Sequence, residues 1–275
     1  MPLSWTRSMA SRRYRRSLFS TTIDAALRTR AIATDDTNRD FLDNTELKKV
    51  LETVKAKTGR KVDIVGFDAC LMSLAEVAFQ VRSSTDLVVA SEETEPNDGW
   101  PYDTILADLA AKPSMTPAEL GKAIVKRYVA SFKSEVTLAL LDVDRGPALA
   151  KAVKALGGSL AEAIAAPGEF AAVTKAIRDT QRYYYRDFVD LYDLCDQLAK
   201  RVKSAKVKAA AKATQEALSG PLPFVVAEAH KGTTVVRSHG AAIYVPRGDI
   251  SVVYDRLDFA KASGWGKFIA AYLKA

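Results

Sequence analysis

The chain has 275 residues, 48% hydrophobic and 27% charged, which is long enough to bury a large core and too apolar to remain disordered. The net charge of +7 is local, since seven arginines fall within the first 30 residues and five of them between Arg7 and Arg16. Beyond that segment there is no basic–aromatic interleaving of the kind that holds nucleic acid, and no apolar run long enough to span a membrane or act as a secretory signal.

Residues 1–30 lack a sustained apolar period and read as a basic, flexible segment, with residues 31–275 as one folded domain. ATDDTNRDFLDNTELKKVLETVKAKTG begins with turn chemistry and continues as a helix, with Leu47, Val50, Leu51 and Val54 at helical spacing and Asn44 or Thr45 as N-cap candidates. KVDIVGF is a short β-branched strand, and after Cys70 the period switches so that Leu71, Leu74, Ala75 and Ala78 share one helical face. DLVVASEE reads as a second strand and VTLALLDVD as a third. Between them Thr116-Pro117-Ala118-Glu119 is a capping box that opens a helix. From Arg145 to Leu218 the chain reads as helical throughout. FVVAEA and GAAIYVP then return to strand, and a last helix surrounds Phe268 and Tyr272. Apolar strands alternating with amphipathic helices predict an α/β fold whose mostly parallel sheet is covered on both faces.

The two cysteines differ in setting. Cys195, in FVDLYDLCDQLAK, shares an apolar helical face with Leu191, Leu194 and Leu198 and reads as core. Cys70 lies where a strand gives way to a predicted helix, at the sheet end where functional groups of open α/β folds collect. A helix N-terminus there lowers a thiol's pKa and favours the nucleophilic thiolate. The alternative is a small buried residue at a strand–helix junction.

The run GFDACLMSLAEVAF, followed by VVASEETEPNDGWPYDTIL, resembles the clostripain family of cysteine peptidases. DDTNRDFLDN, VTLALLDVD, DFVDLYDLCDQL and HGAAIYVP resemble further family landmarks in the expected order. The resemblance implies a caspase-like fold, shared with legumains, gingipains and separases, and Asp68-Ala69-Cys70 matches the nucleophile segment. It further implies cleavage after arginine, or lysine, with Asp68 and Asp98 as the acidic residues of the P1 pocket. A carboxylate there can meet a guanidinium in two charge-assisted hydrogen bonds. Read without the resemblance, Asp68 is a helix N-cap and Asp98 ordinary turn chemistry, while Trp100 and Glu76 read as structural. No cofactor is expected from the sequence; the resemblance allows calcium, for which no EF-hand ligand spacing is present. Relatives are often secreted, and this sequence carries no readable signal.

Family members also place a His-Gly pair at the end of an earlier strand, the histidine acting on the thiol and the glycine N–H on the oxyanion. The chain has two histidines, His230 and His239, both far beyond Cys70 and both read as strand residues. Met1 stands where the family's histidine is expected. The domain is therefore expected to be incomplete at its N-terminus and inactive as given: a truncated peptidase, or a pseudoenzyme or binding module for basic peptides. Expected partners are peptides or proteins with basic residues and no membrane; a third reading, for the basic arm alone, has RRYRR bind nucleic acid.

Overall fold

The structure, a computed structural model, describes residues 33–35 and 40–275, with the backbone alone up to residue 41. The basic segment 1–30 lies outside the described residues. A small antiparallel pair, β1 (Ala33–Asp35) and β2 (Asp40–Leu42), leads into helix α1 (Asn44–Thr58). Its N-cap is Asp43, one residue before the expected candidates. The Asp43 carboxylate accepts the Thr45 and Glu46 N–H groups, and Glu46 returns the bond to the Asp43 N–H. A carboxylate accepts two orphan amides at once, which a Thr hydroxyl or Asn amide oxygen does less well.

The central sheet has the order β3 (Val62–Gly66), β4 (Thr85–Ala90), β5 (Val136–Asp142), β7 (Val225–Lys231). Only β3 and β4 are parallel; β4–β5 and β5–β7 are antiparallel, with a register shift at Leu140/Leu141. The expected mostly parallel sheet is thus corrected to a mixed one. The apolar run in β5 signals burial on both faces, which both strand directions allow.

Side chains alternate across this sheet with period two. Val88, Ala90, Ala139 and Leu141 enter the large core on one face, and Val89, Leu138 and Leu140 enter a smaller one on the other. The smaller core is covered by α3 (Tyr102–Ala111) and α4 (Pro117–Ser131), whose capping box forms as predicted, with the Glu119 N–H donating to Thr116 Oγ1 at 3.2 Å and the Thr116 N–H to Glu119 Oε2 at 2.8 Å. The larger core lies under α2 (Ala75–Val81), α5 (Gly146–Ala163), α6 (Glu169–Asp179), α7 (Leu191–Arg201), α8 (Ala205–Ser219), α9 (Asp258–Ser263) and α10 (Trp265–Lys274). Cys195 is fully buried there, as its helical face predicts.

The helical stretch is interrupted by a short strand, β6 (Phe188–Asp190), which pairs antiparallel with β8 (Ala242–Tyr244). Three residues are too few for a strand signal between two strongly helical patterns. This ribbon is tied to the cysteine loop by a bridge from Leu74 to Ala242. On the opposite side β3 is the edge strand of the described sheet, and Val50 and Val54 on neighbouring α1 are 51% and 37% exposed. That edge presents both open backbone groups and apolar surface.

Glu76, read from sequence as structural, holds α2 to the ribbon from a buried position. One oxygen, Oε1, accepts the Tyr244 N–H at 3.1 Å and the Tyr254 hydroxyl at 3.0 Å. Glu76→Ala removes the acceptor from two buried donors and is expected to cost roughly 2–4 kcal/mol in urea unfolding, whereas Glu76→Gln retains an acceptor and costs less than half as much. Equal losses in the two variants contradict this assignment.

Candidate active site

Cys70 stands in the loop between β3 and α2, where the β3–β4 pairing continues beyond the strand ends. Phe67 N–H donates to Val89 O at 2.9 Å, Leu71 N–H to Glu93 O at 3.1 Å and Ser73 N–H to Ser91 O at 2.8 Å. Within this lacing Cys70 Sγ accepts the Glu95 N–H at 3.2 Å and donates weakly to the Glu95 carbonyl at 3.8 Å. Cys70 is exposed at the carboxyl end of the sheet, as its strand-end position implies.

The local backbone differs from expectation. Leu71 has φ of 63°, a left-handed conformation found at no other non-glycine among the described residues, and the helix begins only at Ala75. Cys70 is therefore not at a helix N-terminus and receives no help from a helix dipole. Leu71 and Leu74 continue the helical spacing for a packing reason, since both are buried in the large core. The thiol pKa moves up rather than down: partial desolvation of the sulfur raises it, the Glu95 amide opposes, and the Glu95 and Glu93 carboxyls, once ionised, add to the rise.

Asp68 points into the same corner. Its Oδ2 accepts the Tyr102 hydroxyl at 2.9 Å and the Trp100 N–H at 3.3 Å, so it caps the loop before α3 rather than the helix after Cys70. Gly99, at φ 68°, makes this approach feasible, because a Cβ there would lie 3.1 Å from Asp68 Oδ2. Trp100 lies against Gly66, whose missing side chain leaves room for the indole ring.

Beside Asp68 is Glu95, which sequence reasoning passed over. Glu95 Oε2 accepts the Trp100 indole N–H at 3.1 Å, and its carboxyl adjoins that of Asp68. Burial, then the adjoining Asp68 carboxyl, push Glu95 up to about 9, so it is a neutral acid at pH 7. Glu-Pro in a turn-rich run carries no signal for this role; the only pointer is that the run follows a strand neighbouring that of the nucleophile. Asp98 does not join the cluster. It is exposed in the turn after Pro96, and among the described residues no hydrogen bond or ion pair reaches it.

Neither histidine is hydrogen-bonded to Cys70. His230 lies on β7 with Nδ1 3.2 Å from Glu228 Oε2. His239 stacks on Tyr192 at 4.5 Å, with Nδ1 3.1 Å from the fully buried Asp190; burial lowers its pKa, but the bond and charge of Asp190 outweigh that and raise it. The following Gly240 is tied to the cysteine loop, its carbonyl accepting the Ser73 hydroxyl at 2.6 Å. Among the described residues no three His, Cys, Asp or Glu side chains gather where they could hold a metal ion. No described helix is long and apolar enough to cross a membrane.

Comparison with known proteins places the chain in a family. The sequence profile of the clostripain family matches residues 20–271. Clostripain of Hathewaya histolytica is 24% identical over 262 residues, and the match takes in 80% of this chain and 49% of that protein, so the chain spans about half the length of this relative. Among solved structures, a clostripain from Bacteroides thetaiotaomicron in complex with the peptide inhibitor BTN-VLTK-AOMK superposes with a TM-score of 0.63 at 16% identity, covering 84% of this chain and 98% of the other. A cysteine protease of B. fragilis superposes with a TM-score of 0.60 at 16% identity, covering 85% and 97%. The fold is the α/β, caspase-like one of these proteases, and the chain belongs to the clostripain family.

Proposed function

We propose that the chain carries the nucleophile and the P1 pocket of a cysteine endopeptidase that cleaves after arginine, and less readily after lysine. The observation that carries this reading is the juxtaposition of an exposed thiol with the Asp68 carboxylate in one laced pair of loops. In the proposed reaction Sγ attacks the scissile carbonyl, a base takes the thiol proton, and the amine leaves with a proton. Water then hydrolyses the thioester. Asp68 provides the countercharge that a desolvated guanidinium requires. The inhibitor bound to the Bacteroides thetaiotaomicron relative, with the peptide letters VLTK, ends in lysine, in keeping with a basic P1 residue. Asp98 is retained only as a second acid at the mouth of this pocket, since it lies one residue from Gly99.

The base is the open part of the proposal. A thiol surrounded by Glu93 and Glu95, with its pKa raised and no imidazole bonded to it among the described residues, is poorly ionised near neutrality. We propose that these 275 residues alone do not turn over substrate and that the base comes from outside them. The same observation favours a second reading, in which the site binds basic peptides without cleaving them.

Purified chain and a Cys70→Ala control are to be assayed with an arginyl fluorogenic substrate, with and without added imidazole. Without imidazole the two rates are expected to coincide, because loss of a general base costs about 10²–10⁴ in rate. Added imidazole should produce Cys70-dependent turnover, and its failure to do so favours the binding module. Robust turnover without imidazole overturns the proposed inactivity.

Alkylation by iodoacetamide, followed by mass spectrometry, separates accessibility from ionisation. Cys70 is expected to react well before the buried Cys195, and its rate should still be climbing at pH values where an ordinary cysteine has levelled off, because the thiolate forms later. A plateau already reached near pH 7 contradicts the raised thiol pKa.

A further inference from the structure

Tyr128 presents an anomaly beneath the acidic pair. It is fully shielded from solvent on α4, yet among the described residues its hydroxyl has no hydrogen-bond partner. A buried hydroxyl without a partner is costly and uncommon in folded proteins. The ionisable groups that act on it are Glu95, Asp68 and Cys70, and its ring meets Trp100 edge-on at 6.5 Å. On the other side of the cluster Trp100 stacks with the half-exposed Tyr102 at 6.3 Å. One oxygen of Glu95, Oε1, is likewise buried without a partner. Both unmatched atoms belong to residues that meet Trp100, whose backbone and indole N–H groups bond Asp68 and Glu95.

We propose that Glu95 and Tyr128 are specificity-determining residues of this pocket, forming its inner wall and selecting the planar guanidinium of arginine over the ammonium of lysine. The inference rests on the proposed P1 pocket and extends it. Guanidinium carries five N–H donors spread over two edges of a plane, so it can bond Asp68 and Glu95 with one edge and the Tyr128 hydroxyl with the other. An ammonium presents its donors from a single atom and is satisfied by the carboxyl pair. Trp100, Tyr102 and Tyr128 add ring surface for a delocalised cation. In the free protein the Tyr102 hydroxyl occupies Asp68 Oδ2, and it swings away when the ligand enters. The Glu95 proton leaves to solvent as the guanidinium takes its place, so one proton is released for each cation bound.

Binding can be read without catalysis, using fluorescence of p-aminobenzamidine as the guanidinium-like probe and competition by benzylamine as the ammonium. Tyr128→Phe is expected to weaken p-aminobenzamidine about tenfold, the size of one hydrogen bond to a charged group, and to change benzylamine by less than twofold. Thermal stability of this variant should be unchanged or higher, because an unpartnered hydroxyl is removed. Glu95→Gln should weaken both probes and, in a Cys70→Ser background, abolish the rise in p-aminobenzamidine affinity between pH 7 and 9. The groups facing Glu95 in that titration are Asp68, Trp100, Tyr102, Tyr128 and Cys70, of which Cys70 is removed by the background.

Probe binding that ignores both variants overturns the inference and leaves the acidic P1 pocket standing. Equal weakening of the two probes by Tyr128→Phe also overturns it, because that outcome reports general damage rather than selection. If neither probe binds the unaltered chain at millimolar concentration, the pocket reading fails and the inference fails with it.

Discussion

Two loops leaving adjacent parallel strands are laced together beyond the ends of the strands, and the thiol is one of the lacing groups. The bonds from Phe67 to Val89 in β4, and from Leu71 and Ser73 to the backbone after it, fix the height of Cys70 above the sheet. The reverse bond, from the Glu95 N–H to Sγ, fixes its direction. The same lacing brings Glu95 beside Asp68, since both flank Cys70 across the gap. The nucleophile and the acidic corner are thus one structural unit: a change of register between β3 and β4 displaces both together. Leu71 accepts a left-handed backbone because its side chain is buried beneath the loop and the flanking bonds hold it there.

The electrostatics of this unit suit capture of a cation better than ionisation of a thiol. Glu93 and Glu95 act on Cys70, and acids disfavour the thiolate. A bound guanidinium balances the charge that Glu95 gains on losing its proton, so binding leaves the net charge beside the thiol where it was and a base is still required. An apolar P1 residue supplies no partner for Asp68.

Much of this was legible from residues and spacing. The strand Val62–Gly66, the capping box at Thr116, the burial of Cys195 and the structural role of Glu76 each follow from local chemistry or periodicity, and the structure agrees with them. The α/β class follows from the alternation of elements. Direction within the sheet does not, because burial on both faces looks the same in parallel and antiparallel strands. The spacing does not reveal where the helix after Cys70 starts, because Leu71 and Leu74 keep helical spacing while serving as loop residues packed into the core. Glu95 and Tyr128 escaped notice for a different reason: each lies far from Cys70 in sequence, and only the pairing of β3 with β4 and the packing of α4 bring them to it. Asp98 shows the converse, a residue selected through resemblance whose side chain makes none of the contacts made by Asp68.

The central claim, that one pair of laced loops joins a nucleophilic thiol to a cation pocket, is tested most directly by covalent labelling of Cys70. Peptidyl acyloxymethyl ketones that differ only in a terminal arginine or norleucine are compared by their rates of adduct formation, measured by mass spectrometry on the native chain and on Asp68→Asn. The arginyl reagent is expected to label Cys70 at least tenfold faster, and the advantage should fall close to unity in the variant, as loss of a charge-assisted pairing requires. Equal rates for the two reagents on the native chain, or an arginyl advantage that survives Asp68→Asn, would contradict the account.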